Sequence, residues 1–390
     1  MKVPLFSPAV QNDLLAADLK AKFHEVLESG YFILGGEVES FEREAGEYLG
    51  AEYAIGVSSG TDALLVALMA LGIGPGDEVI VPAFTFFATA GVVQRVGATP
   101  VFGDVCLSCY QIRPEEVERR ISEKTKAVIP VHLFGHAADL TEIQKVLSGR
   151  KIAIIEDVAQ SMGVQVSGRH GGTVGDLGCF SFFPTKNLGG FGDGGMVTTQ
   201  NADLAEKVRR LRNHGMHPKY YHAEVGGNFR LDALQAALLR IKLPHLDAYV
   251  AARQSNAEYY MERLPQAERI MVNSGQCCHD DGSDSAEQVD ILLPLVASGQ
   301  VPTWNQFTVR VQHGKRDALH RHLIEHGVGA EVYYPVPLHQ QQCFAAYRQE
   351  GALLCTELLC SEVLSLPIYP ELEPAQLDYV IETVHAWVKQ

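Results

Sequence analysis

The sequence predicts an α/β fold in two parts. A mostly parallel central sheet carries helices on both faces, and a smaller C-terminal α+β domain follows it. Three observations carry this reading. Apolar runs of strand length alternate with helical patterns between residues 53 and 157. Those strands are continuously apolar rather than alternating, as strands covered on both faces must be. The chain has 390 residues, long for one core and suited to two.

Residues 16–30 read as an entering helix. In GGEVESFEREAGEYLG (35–50), Val38, Phe41, Ala45 and Tyr48 recur at helical spacing. AEYAIGVSSG is a short strand ending in small polar residues, and TDALLVALMALGI is an apolar helix behind it. GPGDEVIVPAFTF supplies a turn and a buried strand. The alternation continues with a helix over 87–96, a strand over 100–104, a helix over 114–121, the strand AVIPVH, a helix over 139–147 and the strand KIAIIED. The character changes near Leu243–Pro244, which divides the chain into a large domain at 1–243, N-terminal arm included, and a small one at 244–390. Residues 273–290 are polar and acidic, the composition of a surface loop or disordered insert. Beyond them WNQFTVRV reads as a strand, RDALHRHLIEHGV as a helix and AEVYYPVP as another strand. AQLDYVIETVHAWVKQ closes as an amphipathic helix, with Leu377, Val380, Ile381, Val384 and Val388 on one side.

Composition limits the partners. The formal net charge is −15, with 47 acidic against 32 basic side chains, which disfavours nucleic acid and anionic membranes. No apolar run approaches the roughly 18 residues of a spanning helix. The opening residues turn polar too early for a signal peptide, so a cytoplasmic location is expected. Eight scattered cysteines suit reduced thiols. Cys106 and Cys109 form a CxxC, but no second CxxC or spaced His pair follows, and no metal is expected.

Ligands of such folds gather at the carboxyl ends of the strands. Ser58–Ser59–Gly60, Phe84–Thr85–Phe86, His132 and Glu156–Asp157 all fall there. Each has a bland alternative: Ser59 or Thr61 as a helix cap, Asp157 as a turn residue, His132 as a hydrogen-bonded structural histidine. In FSFFPTKNLGGFGDGG (180–195) a single lysine, Lys186, stands between an aromatic strand and five glycines within seven residues. Gly190, Gly192 and Gly195 match GxGxxG, but the strand-like MVTT follows where a dinucleotide site needs a helix, so that reading fails.

One cofactor uses all these parts. Pyridoxal phosphate needs a lysine for its aldehyde, a carboxylate for its ring nitrogen, a phosphate cradle and an apolar group against its ring. Lys186 and Asp157 supply the first two. Ser59, Gly60, Thr61 and Ser181 can bind phosphate at a helix start, and Phe86 can stack.

SSGTDAL, PAFTFFATA, PVHLFGHAADL, IEDVAQSMG, FSFFPTKNLGGFGDGGMV and GGNFRLDALQAALLRIKL resemble the DegT/DnrJ/EryC1/StrS family, in order, over nearly the whole chain. These are pyridoxal-phosphate-dependent sugar aminotransferases of the aspartate aminotransferase-like fold type I. The resemblance implies that Lys186 is the attachment lysine, Asp157 the partner of the ring nitrogen and Gln160 a neighbour of the 3-hydroxyl. It implies Ser181, Gly60 and Thr61 at the phosphate, Phe86 on the ring, and Asn228 reaching the phosphate from a neighbouring subunit of a homodimer. A lysine rather than a histidine at 186 favours transamination over dehydration. The expected donor is L-glutamate and the acceptor a nucleotide-linked keto sugar, aminated at C3 (UDP- or dTDP-linked), with C4 as the alternative. Other readings are a dehydratase, an amino-acid aminotransferase or a non-catalytic regulator of the same fold. The cation-rich RRLRNHGMHPKYYH and the segment VYYPVPLH offer Arg212, His214, Arg230, Tyr334 and His339 as substrate contacts. Cys106 stands where relatives carry an acidic residue, and 273–290 is longer than the usual connection; both bear on the acceptor.

Overall fold

The computed structural model describes residues 1–266, 270–272, 289–297, 299–347 and 351–389. Nearly all of the 273–290 stretch, with Cys277 and Cys278, lies outside the described residues. The strands are β1 (Tyr53–Val57), β2 (Glu78–Pro82), β3 (Thr99–Gly103), β4 (Thr125–Val128), β5 (Ala153–Asp157), β6 (Gln165–Val166) and β7 (Arg169–His170). They continue with β8 (Leu177–Ser181), β9 (Gly195–Thr199), β10 (Ile270–Val272), β11 (Ile291–Leu293), β12 (Gln300–Val301), β13 (Phe307–Val311) and β14 (Val363–Leu366).

The central sheet has the order β1-β9-β8-β5-β4-β2-β3. Its pairings are parallel except those of β9, which runs against β1 and β8. Val79, Ile80 and Val81 of β2 are all fully buried, so both faces of that strand are covered, as its unbroken apolar run requires. On one face the helix Gly60–Ala70 packs with Val57, Val81, Ile155 and Val197. It is apolar nearly all round because the helices Ala88–Arg95 and Ala202–Leu211 cover its outer side. On the other face the helices Gly36–Leu49 and Ala233–Lys242 meet Phe180, Phe182 and Met196.

A second core lies in the C-terminal half around the sheet β10-β11-β13-β14. The helices Leu246–Arg263, Arg316–Glu325 and Pro374–Val388 contribute Tyr260, Leu319 and Val380 to it. Glu373 and Gln376 form a reciprocal capping box that starts the last helix.

Three expectations are corrected. The first residues, grouped by sequence with the large domain, pack on the C-terminal half: Val3 is fully buried in the second core and bridges Val328. AEVYYPVP is not a strand; among its residues only Glu331 forms a bridge, to Ser365, and Pro335 and Pro337 lack the N–H that a ladder needs. The strand expected at WNQFTVRV starts only at Phe307, because Trp304 adopts a left-handed φ of 47°.

Candidate active site

β5 ends at Asp157, whose carboxylate is buried. Its Oδ2 accepts from Thr89 Oγ1 at 2.9 Å and its Oδ1 from the Ala159 N–H at 3.1 Å. Burial raises its pKa; those two hydrogen bonds and the charge of Lys186 oppose the rise without cancelling it. Lys186 sits in the turn that follows β8, where its N–H donates to the Phe183 carbonyl at 2.8 Å. The side chain is partly exposed along its length, but protein surrounds its amine. Among the described residues the Nζ has no hydrogen-bond or ion-pair partner. Burial lowers its pKa to about 8 against the attraction of Asp157. The amine in the turn after β8 and the buried carboxylate at the end of the neighbouring β5 are thus near enough for their charges to interact.

Beside them β1 hands over to the helix Gly60–Ala70. Ser59 caps it, its Oγ accepting from the Asp62 N–H at 3.0 Å. The N–H groups of Gly60 and Thr61, in the first turn, have no partner among the described residues. A Cβ on Gly60 would lie 2.7 Å from Ser181 Cβ and 3.2 Å from its Oγ, so only glycine lets this helix start come so close to Ser181. Free N–H donors, the positive end of the helix and a serine hydroxyl together make an anion cradle.

Phe86 leaves 56 % of its surface exposed, with its ring 6.2 Å from that of Tyr334. Gln160 accepts from the Phe134 N–H at 2.8 Å and donates from Nε2 to the Tyr334 hydroxyl at 3.0 Å. Burial pushes the Tyr334 phenol well above its ordinary pKa, so it stays a neutral donor. Pyridoxal phosphate fits this set: an unpartnered amine, a buried carboxylate that a protonated ring nitrogen would neutralise, an anion cradle and an open aromatic face.

Asn228 is exposed and lines a cavity of about 550 Å³ with Ser58, Ser59, Asp193 and Arg230. Arg230 Nη1 donates to Asn213 Oδ1 at 2.7 Å, while its buried Nε has no partner among the described residues. Two substrate expectations fail. Arg212 is turned inward, paired with Glu42 and donating to the Gly56 carbonyl at 2.8 Å, which leaves it a structural cation. His339 pairs with Glu357 at 3.2 Å and lies beside Phe102. His214 is exposed in a left-handed turn (φ 62°), its carbonyl accepting from His222 Nδ1 at 2.9 Å, and it does not line the Asn228–Arg230 cavity.

His132 resolves to its structural alternative. Its Nδ1 accepts from the Ala138 N–H at 3.0 Å, so the proton resides on Nε2, 2.9 Å from Glu156. Burial tends to raise the Glu156 pKa, but His132 and the N–H groups of Gly175 and Gly172 outweigh it and hold the carboxylate ionised. No cluster of three His, Cys, Asp or Glu among the described residues could hold a metal, and Cys179, Cys343, Cys355 and Cys360 are free thiols. No helix among those residues is long and apolar enough to cross a membrane.

Sequence reasoning missed Thr89, although it stands inside PAFTFFATA, and it missed Asn187 and Asn305, which flank the Lys186 turn. Asn187 Nδ2 donates to the Thr303 carbonyl at 2.9 Å, and Asn305 Nδ2 donates to Asn187 Oδ1 at 2.9 Å.

The model of the DegT/DnrJ/EryC1/StrS aminotransferase family matches residues 14–385. A pleiotropic regulatory protein of Geobacillus stearothermophilus is 42% identical over 385 residues, covering 98% of both chains. A UDP-N-acetyl-3-dehydro-alpha-D-glucosamine 3-aminotransferase of Acidithiobacillus ferrooxidans is 43% identical over 353 residues, 90% of this chain and 89% of the relative. The crystal structure of S. venezuelae DesV in complex with a ketimine intermediate superposes with a TM-score of 0.91 at 40% identity, covering 100% of this chain and 99% of the other. With the amine, carboxylate and cradle in place and a match along almost its entire length, the chain belongs to the DegT/DnrJ/EryC1/StrS aminotransferase family.

Proposed function

We propose that the protein moves an amino group from an amino acid, L-glutamate being the expected donor, to C3 of a UDP- or dTDP-linked 3-keto sugar. The observation that carries this is the Lys186 amine, without a partner among the described residues, facing buried Asp157 beside the Gly60–Ser181 cradle. The name of the Acidithiobacillus relative supports the choice of C3 over C4.

Pyridoxal phosphate, when bound, supplies an electron sink that acidifies the C–H of an amine joined to it. The chain's residues divide the remaining work. Asp157 would hold a proton on the ring nitrogen. Ser59, Gly60, Thr61 and Ser181 would bind the phosphate, Phe86 would stack on the ring, and Gln160 would serve the 3-hydroxyl. Lys186 would be the amine that holds the cofactor's aldehyde, and its Nζ, once free, would carry the proton taken from the donor's Cα and the one delivered to the sugar carbon. A pKa of about 8 suits both directions, since the amine is neither fully protonated nor weakly basic near neutrality. Arg230, whose buried Nε has no partner among the described residues, would supply a donor for the diphosphate, and Tyr334, beside Phe86, would contact the substrate.

We further propose a cytoplasmic homodimer in which Asn228 of a second copy completes each phosphate site. A division at 243/244 fits the turn Leu243–His245, apart from the Val3 arm.

The test is spectroscopic and then chemical. The purified protein is expected to be yellow and to bleach with glutamate; a panel of nucleotide-linked 3-keto and 4-keto sugars, read by mass spectrometry, then identifies the acceptor. Amination of the 4-keto members alone would overturn C3. A visible band that no amino acid changes would favour a regulator, as the name of the Geobacillus relative has it.

A further inference from the structure

We infer that Asn305, contributed by the C-terminal half, is the positioning residue that holds the Lys186 turn in place. This rests on the role proposed for Lys186 above. Its Nδ2 donates to the Thr185 carbonyl at 3.3 Å and to Asn187 Oδ1 at 2.9 Å, so both neighbours of Lys186 are tied to one carboxamide. Asn187 in turn donates to the Thr303 carbonyl at 2.9 Å. The orientation of the amide is chemically determined. The Thr185 carbonyl only accepts, so the atom facing it must be the NH₂ group, and both of its hydrogens are then used.

The clamp is buried and itself fixed. Asn187 is 4% exposed, Asn305 7% and Thr303 0%. The Thr303 N–H donates to the Gly135 carbonyl at 2.9 Å, and a Cβ on Gly135 would lie 2.4 Å from the Trp304 nitrogen. The backbone bearing Asn305 is therefore pressed onto the loop that also holds Gln160 through Phe134. Asn305 Oδ1 and Thr303 Oγ1 are buried and have no partners among the described residues. A buried unpaired acceptor opposes folding, and an apolar residue of the same shape would avoid it. What the carboxamide adds is aim. A lysine has four rotatable side-chain bonds, and only a fixed backbone keeps its amine opposite Asp157, the charge that acts on it.

The experiment compares wild type with Asn305→Leu, similar in shape but without donors, and with Asn305→His, which restores one N–H. In the cofactor-free protein, trace acetylation of Lys186 against pH, read by peptide mass spectrometry, gives its titration midpoint. The wild-type midpoint is expected near 8. In Asn305→Leu it should move up towards that of an ordinary lysine as the turn loosens. In the loaded enzyme kcat should fall roughly 10- to 100-fold, the effect of a displacement of about 1 Å. KM for the donor should change less than about twofold, as expected when only transition-state positioning is lost. The histidine variant should recover part of both losses. Should the leucine variant not fold, Asn305→Ser, whose hydroxyl is too short to reach Thr185, carries the same expectations. A folded variant with unchanged midpoint and unchanged kcat overturns the inference. Borohydride reduction of the loaded wild type, followed by peptide mapping, checks the underlying reading separately: attachment at another lysine would overturn both.

Discussion

Lys186 and Asp157 carry the proposed chemistry, and their environments give two tests. Lys186→Ala should lose at least roughly 1000-fold in turnover, since one group serves as both attachment point and proton carrier; steady turnover in that variant would contradict the assignment. The second test is linkage. Below pH 8 the ammonium is present in both folded and unfolded chains, and the folded chain bears the burial cost. Between about 8 and 10.5 the unfolded chain binds more protons, so stability rises with pH across that window. Cofactor-free Lys186→Met should therefore exceed wild type in stability at pH 7, by on the order of 2–3 kcal/mol. That advantage should shrink towards pH 10 in denaturant titrations. These two residues were legible because their residue types and strand-end positions suffice to suggest them. Arg212 was misread for the opposite reason: its charge is visible in RRLRNHG, but its partner Glu42 lies 170 residues earlier and only the fold brings the two together. Thr89 and Asn305 were illegible on the same ground, since a neutral polar side chain shows its purpose only through a distant neighbour.

Among the elements, the alternation of apolar strands and helices through β5 was readable because burial on both faces leaves a simple pattern. Boundaries and irregular segments were not. The AEVYYPVP segment carries β-branched and aromatic residues, yet two prolines and the inward turn of Tyr334 keep it out of the sheet. The start of the helix Gly60–Ala70 illustrates how a cap and a cradle share one position. Ser59→Ala should cost about 1 kcal/mol of stability through the lost cap. Gly60→Ala should instead act on the cofactor. Its new Cβ meets Ser181 at 2.7 Å, so the serine must shift and the cradle distorts. Titration of the apoenzyme followed by absorbance is expected to give weaker cofactor binding, by at least about tenfold. An unchanged Kd would show that the phosphate lies elsewhere.

For the whole molecule, the surface holds apolar side chains that a lone copy leaves in water. Phe23, Leu27, Tyr31, Phe32 and Ile33 near the chain start, and Tyr220, Tyr221 and Val225 near Asn228, are exposed large hydrophobic residues, more than scattered surface positions explain. A second copy covering them is the proposed homodimer, with Asn228 offered to the neighbour's cradle. The check is complementation. Lys186→Ala and Asn228→Ala chains, each weakly active alone, should on mixing after dissociation recover about a quarter of wild-type activity, because half of the dimers would be mixed and each would hold one intact site. Activity no greater than the sum of the two alone would place Asn228 in its own chain's site.

The Val3–Val328 bridge, with the Val3 N–H donating to the Gly327 carbonyl at 2.9 Å, gives the molecule a buckle. The chain start is fastened into the C-terminal core, which ties the large domain that follows it to the small one. Heating should therefore produce one endotherm rather than two, and Val3→Asp, by releasing the clasp, should split it.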